Sequence, residues 1–332
     1  MEVLEHLALG KNLSEEEALK SFRAMYTGKM PASCVGAFLM GLKTKGETGL
    51  EIACGVKAAL EEARLVPGLT GDLIDTCGTG GDNTCSFNCS TAVALYLAAM
   101  GHQVVKHGNR SVSSTCGSAD IIESLGMALV VEPEAVAAAL KAKNFVFLFA
   151  PNFHPAFKRI MPIRKELGAR TLFNLMGPLL NPARPTHQLL GVPTASFVPL
   201  IAEALSLTGV RRAVVVHGAG GFDELSPFGP AEVCWVRDGW MRRERLDPQD
   251  YGIPRHKLSE VAVASKDEAV AVLLELLQGE GPQAMKDMLA LNLGTALNLL
   301  EDDLSLQQGI DKARDAITSK VAAAHWSEAL NA

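Results

Sequence analysis

Leu73-Ile74-Asp75-Thr76-Cys77-Gly78-Thr79-Gly80-Gly81-Asp82 is the stretch on which the reading of this chain turns. Residues 73–75 read as a buried strand, and the three glycines that follow supply a turn. Asn88-Cys89-Ser90-Thr91 then opens an alanine-rich helical pattern over 90–100, and residues 103–106 read as the next strand. Lys106-His107-Gly108-Asn109-Arg110 is expected as a basic loop after that strand. Strand, glycine turn, helix and strand form the grammar of an α/β domain with a largely parallel sheet. Its active loops lie beyond the carboxyl ends of the strands.

The same alternation continues outward. Residues 117–125 and 196–207 read as helices, and 145–149, 188–191 and 212–217 as strands. Residues 154–168 are helical in pattern, and Pro178, Pro182 and Pro185 end that run. The tail from about 258 to 332 is mostly helical and suited to cover a sheet. Residues 1–66 differ in kind, reading as consecutive helices without a strand pattern. Ser14 and Glu17 form a capping box ahead of Ala18, Leu19 and Phe22. After Pro31, residues Val35, Phe38, Leu39 and Leu42 share one helix face, and 43–48 is a polar link to a helix over 49–64.

Composition narrows the class. The 332 residues are 48% apolar with 30 glycines, enough for one large core or two smaller ones. A formal charge of -6 with three Trp and three Tyr argues against a general nucleic-acid surface and against extensive base stacking. Seven cysteines include no C-x-x-C pair, and their odd number favours a reducing compartment. The sequence near Met1 lacks a basic region followed by an apolar run. No run approaches the about 20 apolar residues of a membrane span. A soluble, cytoplasmic protein is expected.

The chemistry concentrates in three places. Gly78, Gly80 and Gly81 let main-chain amides approach an anion. The loop is neither a Walker sequence nor a regular dinucleotide fingerprint, since Asn83 stands where a third glycine would fall. Asp82 would accept a hydroxyl or support water around a cation, and an ordinary strand–helix turn is the alternative. Asn88, Ser90 and Thr91 at a helix start can hold phosphate oxygens or simply cap the helix. Lys106 offers a point charge and Arg110 a planar fork for an oxyanion, with Ser111, Ser113, Ser114 and Ser118 close behind. His107 either orders this loop or transfers a proton. Asp223-Glu224, after His217-Gly218-Ala219-Gly220-Gly221, is a hard-oxygen pair suited to Mg2+ beside phosphates.

Taken together the chain resembles the anthranilate phosphoribosyltransferase family over nearly all its length. The resemblance rests on Lys45-Gly46-Glu47-Thr48, Gly78-Thr79-Gly80-Gly81-Asp82, Phe87-Asn88 with Ser90-Thr91, and Lys106-His107-Gly108-Asn109-Arg110-Ser111. Gly117-Ser118-Ala119-Asp120, His154-Pro155-Ala156, Arg164-Lys165-Glu166-Leu167-Gly168, Phe173-Asn174-Leu175 and Gly177-Pro178-Leu179 extend it, with Asn181-Pro182 and the 221–224 loop. It implies an α/β fold of the nucleoside phosphorylase/phosphoribosyltransferase kind. A small helical domain (1–66 and 154–185) would join a larger α/β domain with a mainly parallel sheet (67–153 and 186–332).

The resemblance also implies a homodimer through the helical parts, with phosphoribosyl pyrophosphate (PRPP) and anthranilate as substrates and Mg2+ as cofactor. Gly78, Gly80, Gly81, Asp82, Thr84, Asn88, Ser90, Thr91, Lys106 and Ser118 would then handle PRPP. Ser90, Asp223 and Glu224 would hold the metal, and Gly78, Asn109, His154, Arg164 and Pro178 would surround anthranilate. Lys106 and Arg164 would act by electrostatics and positioning. Asn83, Cys85, Cys89 and Thr115-Cys116 depart from the family's usual residues but leave the charged groups intact. A pyrimidine nucleoside phosphorylase is the nearest enzymatic alternative, and Asp223-Glu224 and the segment 150–182 argue against it. Net charge disfavours a nucleic-acid-binding relative.

Overall fold

The computed structural model of the chain describes residues 2–80, 87–110 and 117–327. Its N-terminal part contains the helices Glu2–Ala8, Glu15–Tyr26, Ala32–Lys45 and Gly49–Glu61. The Ser14–Glu17 box closes as its spacing predicts. Glu17 N–H donates to Ser14 Oγ, and Ser14 N–H donates to Glu17 Oε2. Val35, Phe38, Leu39 and Leu42 are all buried.

The polar link at 43–48 does more than join two helices. Lys45 Nζ lies 2.7 Å from Glu51 Oε2, with the two side chains only 2% and 0% exposed. Glu51 also accepts from the N–H groups of Leu13 and Thr48. One cation and two amides therefore satisfy a carboxylate that has lost its water.

Eight strands among the described residues form one sheet. They are β1 (Leu73–Gly78), β2 (Gln103–Gly108), β3 (Leu129–Val130), β4 (Phe145–Phe149), β5 (His187–Gly191), β6 (Arg212–His217), β7 (Ala231–Arg237) and β8 (Trp240–Leu246). The order is β3-β4-β2-β1-β5-β6-β7-β8, parallel from β3 to β6 and antiparallel at β7 and β8. The expected mainly parallel sheet is present. The β7–β8 hairpin is an addition to the expected set. Its turn holds Asp238 and Gly239 at φ 45° and 88°, the left-handed pair of a tight hairpin.

Alternation along the strands buries both faces. Val214 and Val216 of β6 join Val233 and Trp235 of β7 in a core with helices Cys89–Ala99 and Gln283–Leu300. Ala213, Val215, Cys234 and Val236 point the other way, toward helix Phe197–Leu207 and the N-terminal helices. A parallel sheet covered on both faces explains the near-continuous apolar strands. The carboxyl ends of β1, β2, β5 and β6 are left to carry polar loops. No helix among the described residues is long and apolar enough to cross a membrane.

Replacing Glu51 with Ala strands the Lys45 ammonium out of water and removes a helix cap. The expected loss of unfolding free energy is about 3–5 kcal/mol, read from urea denaturation. A loss below about 1 kcal/mol would mean that this pair behaves as a surface ion pair.

Candidate active site

β1 and β5 end side by side at Gly78 and Gly191, and the loop after β6 folds back over both. A Cβ on Gly78 would fall 2.1 Å from Asp223 Oδ2, and one on Gly191 would fall 1.4 Å from the Asp223 carbonyl oxygen. Two strand ends without side chains thus form the floor on which Asp223 sits. Gly80 N–H donates to Asp223 Oδ2 at 2.8 Å, and Ser90 N–H donates to Glu224 Oε1 at 3.0 Å. Ser90 belongs to the first turn of helix Cys89–Ala99, where amides lack partners within the helix. The fold therefore gathers the glycine turn, the helix start and the acidic pair at one point.

That point suits a hard divalent cation. Two carboxylates and the Ser90 hydroxyl offer oxygen donors only. Among the described residues no group of three or more His, Cys, Asp or Glu is arranged so that it could hold a metal ion by itself. An ion held here would complete its shell with phosphate or water oxygens, which is how Mg2+ is commonly bound.

Lys106 belongs to the expected strand and not to the basic loop expected to start with it: it lies within β2 and is 2% exposed. The strand runs to Gly108 because β2 pairs with β4 along Val104 to Gly108, which draws Lys106 and His107 into the sheet. Lys106 Nζ donates to the Thr76 carbonyl and to Ser90 Oγ, the latter at 3.3 Å. Burial pushes its pKa down, and the Asp75 carboxylate opposes that shift. Burial in turn lifts Asp75 to about 6, against the pull of Lys106 and a hydrogen bond from Asn181 Nδ2 at 2.9 Å. A buried cation directed at Ser90 is a stronger anion-binding element than a solvated basic loop.

The aromatic side of the site is equally dry. The His107 and His154 rings meet edge to face, 5.2 Å between centroids, and His154 stacks on Phe157 at 5.3 Å. Burial lowers the His154 pKa to about 4. The Leu180 carbonyl opposes this weakly without making a normal hydrogen bond, since neither ring nitrogen has a partner. Burial, then the neighbouring His154, pushes His107 well below the usual range. Both rings are neutral at pH 7. Arg164, on helix Phe157–Leu167, lies 4.8 Å from the Phe173 ring centroid and 3.6 Å from Met161 Sδ. No carboxylate pairs with it among the described residues. Pro178 is in the turn Gly177–Leu180, and its carbonyl accepts from Gln188 Nε2 at 2.7 Å.

The remaining expected residues divide. Ser118 begins helix Ser118–Ser124 against Gly108, where a Cβ would come 2.5 Å from Ser118 Oγ. Asn88 precedes helix Cys89–Ala99 without a side-chain cap, and the Thr91 hydroxyl is buried without a partner. Simple capping therefore accounts for neither. Asn109 is exposed and its Oδ1 accepts from Arg110 N–H at 2.8 Å. Arg110 pairs with Glu123 at 2.7 Å and Asp120 at 3.7 Å, and its side chain is exposed. Gly81, Asp82, Asn83, Thr84, Cys85, Ser111, Ser113, Ser114, Thr115 and Cys116 lie outside the described residues. Sequence reasoning missed Gly191, Gln188 and the charge balance of Asp75. Only pairing between β1 and its neighbours reveals them.

Residues 70–323 match the glycosyl transferase family, a/b domain, and residues 1–63 match its helical bundle domain. The anthranilate phosphoribosyltransferase of Nitratidesulfovibrio vulgaris is 55% identical over 322 residues, spanning 96% of this chain and 95% of the relative. The crystal structure of the anthranilate phosphoribosyltransferase from Thermus thermophilus matches with a TM-score of 0.90 at 37% identity, over 100% of this chain and 99% of the other. That of Saccharomyces cerevisiae, in complex with PRPP and Mg, gives 0.87 at 27% identity, over 99% and 97%.

The buried histidine has a pH signature. A folded pKa of about 4 lies below the unfolded value near 6.5, so neutral His154 contributes stability above pH 6.5 that is lost as pH falls toward 4. Asp75, raised to about 6, works in reverse over the same window. The stability difference between wild type and His154→Asn should shrink by on the order of 3 kcal/mol between pH 7 and pH 4. Parallel stability curves from chemical denaturation would place His154 in water.

Proposed function

The chain belongs to the anthranilate phosphoribosyltransferase family, and on that premise we propose how its own residues carry the reaction. The enzyme transfers the 5-phosphoribosyl group from PRPP to the amine of anthranilate, giving N-(5-phosphoribosyl)anthranilate and pyrophosphate. One observation carries the residue assignment. The Gly80 and Ser90 amides, the Lys106 ammonium and the Asp223–Glu224 pair converge where the ends of β1 and β2 meet the start of helix Cys89–Ala99.

PRPP lies across this point, with Gly78, Gly80, Asn88, Ser90, Thr91, Lys106 and Ser118 as its described partners and Gly81, Asp82 and Thr84 completing the set. Asp223 and Glu224, with Ser90, hold Mg2+, which when bound neutralises charge on the pyrophosphate. Lys106 stabilises negative charge on the departing pyrophosphate from a dry position, where a fixed cation acts strongly. Arg164 takes the carboxylate of anthranilate through its planar fork. Neutral His154, Pro178, Asn109 and the bare Gly78 backbone line the space for the ring. The amine is nucleophilic near neutral pH, so alignment and not a strong base limits attack. Exclusion of water by closure of the helical unit (1–66 and 154–185) on the α/β unit (67–153 and 186–332) protects the activated sugar.

Two copies pair through the helical unit. An open groove lined by Ala32, Ser33, Gly36, Ala37 and Met40, facing Ile163 and Leu167, supports that arrangement. The free cysteines 34, 54, 77, 89 and 234 accord with a cytoplasmic, reducing setting.

Anthranilate fluorescence followed with PRPP and Mg2+ omitted in turn tests the reaction, and both omissions should abolish its consumption. Arg164→Ala should raise the anthranilate KM about 10- to 100-fold with the PRPP KM little changed, as expected for losing a charged hydrogen-bond pair. Lys106→Met should instead lower kcat by roughly 10²–10³. An anthranilate KM that ignores Arg164→Ala removes that residue from the carboxylate site.

A further inference from the structure

The loop bearing Asp223 and Glu224 is gripped from behind by a side chain that the reaction does not otherwise use. Asn292 sits in the middle of helix Gln283–Leu300 and is 2% exposed. Its Oδ1 accepts from Leu225 N–H at 3.0 Å, and its Nδ2 donates to the Leu225 carbonyl at 2.7 Å. A second Nδ2 bond reaches the Met288 carbonyl at 2.8 Å. One carboxamide thus imitates an adjacent strand, pairing both main-chain groups of the residue directly after Glu224.

Several observations make this more than ordinary packing. Leu225 is fully buried, so water cannot replace either bond if the carboxamide is lost. Within the loop Gly218 N–H donates to the Phe222 carbonyl and Ser226 Oγ to the Ala219 carbonyl, while the acidic side chains accept from Gly80 and Ser90 on the site's own side. Asn292 connects the loop to a different layer of the fold. Its neighbours Leu291 and Leu293 belong to the apolar core, where an amide costs stability unless fully bonded. Asn292 also lines a small cavity with Cys77, Ser90, Gly191, Asp223 and Glu224, beneath the acidic pair.

We propose that Asn292 is a positioning residue for the pyrophosphate and metal site, clamping Leu225 so that Asp223 and Glu224 stand against Gly80 and Ser90. The inference rests on the reading of Asp223 and Glu224 as the metal-holding pair. Asn292→Leu keeps the branched shape and the number of heavy atoms and removes both bonds to Leu225, whereas Asn292→Ala removes the side chain beyond Cβ as well.

The test is calorimetric titration of PRPP, with Mg2+ present, into wild type and both variants, alongside steady-state rates over a Mg2+ series. Both variants should bind PRPP about tenfold more weakly, the scale of one forfeited buried hydrogen bond. Both should need more Mg2+ for half-maximal rate and recover at high Mg2+, with the anthranilate KM unchanged. Unaltered PRPP binding in folded Asn292→Leu overturns the clamp, as does a defect confined to Asn292→Ala, which would report packing. Unfolding of both variants overturns it too, because Asn292 would then hold the fold and not the loop. If wild type itself bound no PRPP with Mg2+, the functional reading would fall and the clamp with it.

Discussion

The site depends on one close approach: Asp223 lies against the ends of two strands that have no side chains to hold it off. With Gly78 and Gly191 bare, the acidic loop descends until an Asp223 oxygen reaches the Gly80 amide. Any larger residue at either strand end would lift the loop and separate the carboxylates from the amides of Gly80 and Ser90. The acidic pair and the amides of Gly80 and Ser90 therefore share one geometry because glycine occurs at matching register on β1 and β5.

Around that contact the chain keeps charge in dry places. Lys106 and Asp75 sit on adjacent strands of a doubly covered sheet, each shifting the other, and Asn181 helps to hold the carboxylate. Removing charge from water costs several kcal/mol per group. What is gained is a fixed cation already oriented toward Ser90, with little solvent around it to reorganise. The two neutral histidines serve the opposite need. Their rings meet edge to face as flat, uncharged surfaces, and Arg164 is the cation proposed for that side of the site.

Much of this was legible from the sequence, for local reasons. β4 and β6 follow from compact apolar runs, the Ser14 helix from its capping box, and the glycine turn from its own composition. The β7–β8 hairpin escaped because β8 carries Arg242, Arg243, Glu244 and Arg245, which give it no apolar face to detect. The Asp238-Gly239 pair, after the apolar run 233–236 of β7, is its short-range signal. The strand read over 103–106 runs on to Gly108, because the charge of Lys106 and its neighbours suggests a loop unless both faces of the sheet are known to be covered. Gly191 and Asn292 act on residues 32 and 67 positions away in sequence, so no pattern within a window could expose them.

The sheet's two margins share a further property. β3 is two residues long, and β8 presents guanidinium groups along an exposed strand. A second sheet approaching either border would find too few free amides on one side and like charges on the other. Growth into ribbons or fibres is thereby discouraged, and self-association is left to faces made of helices.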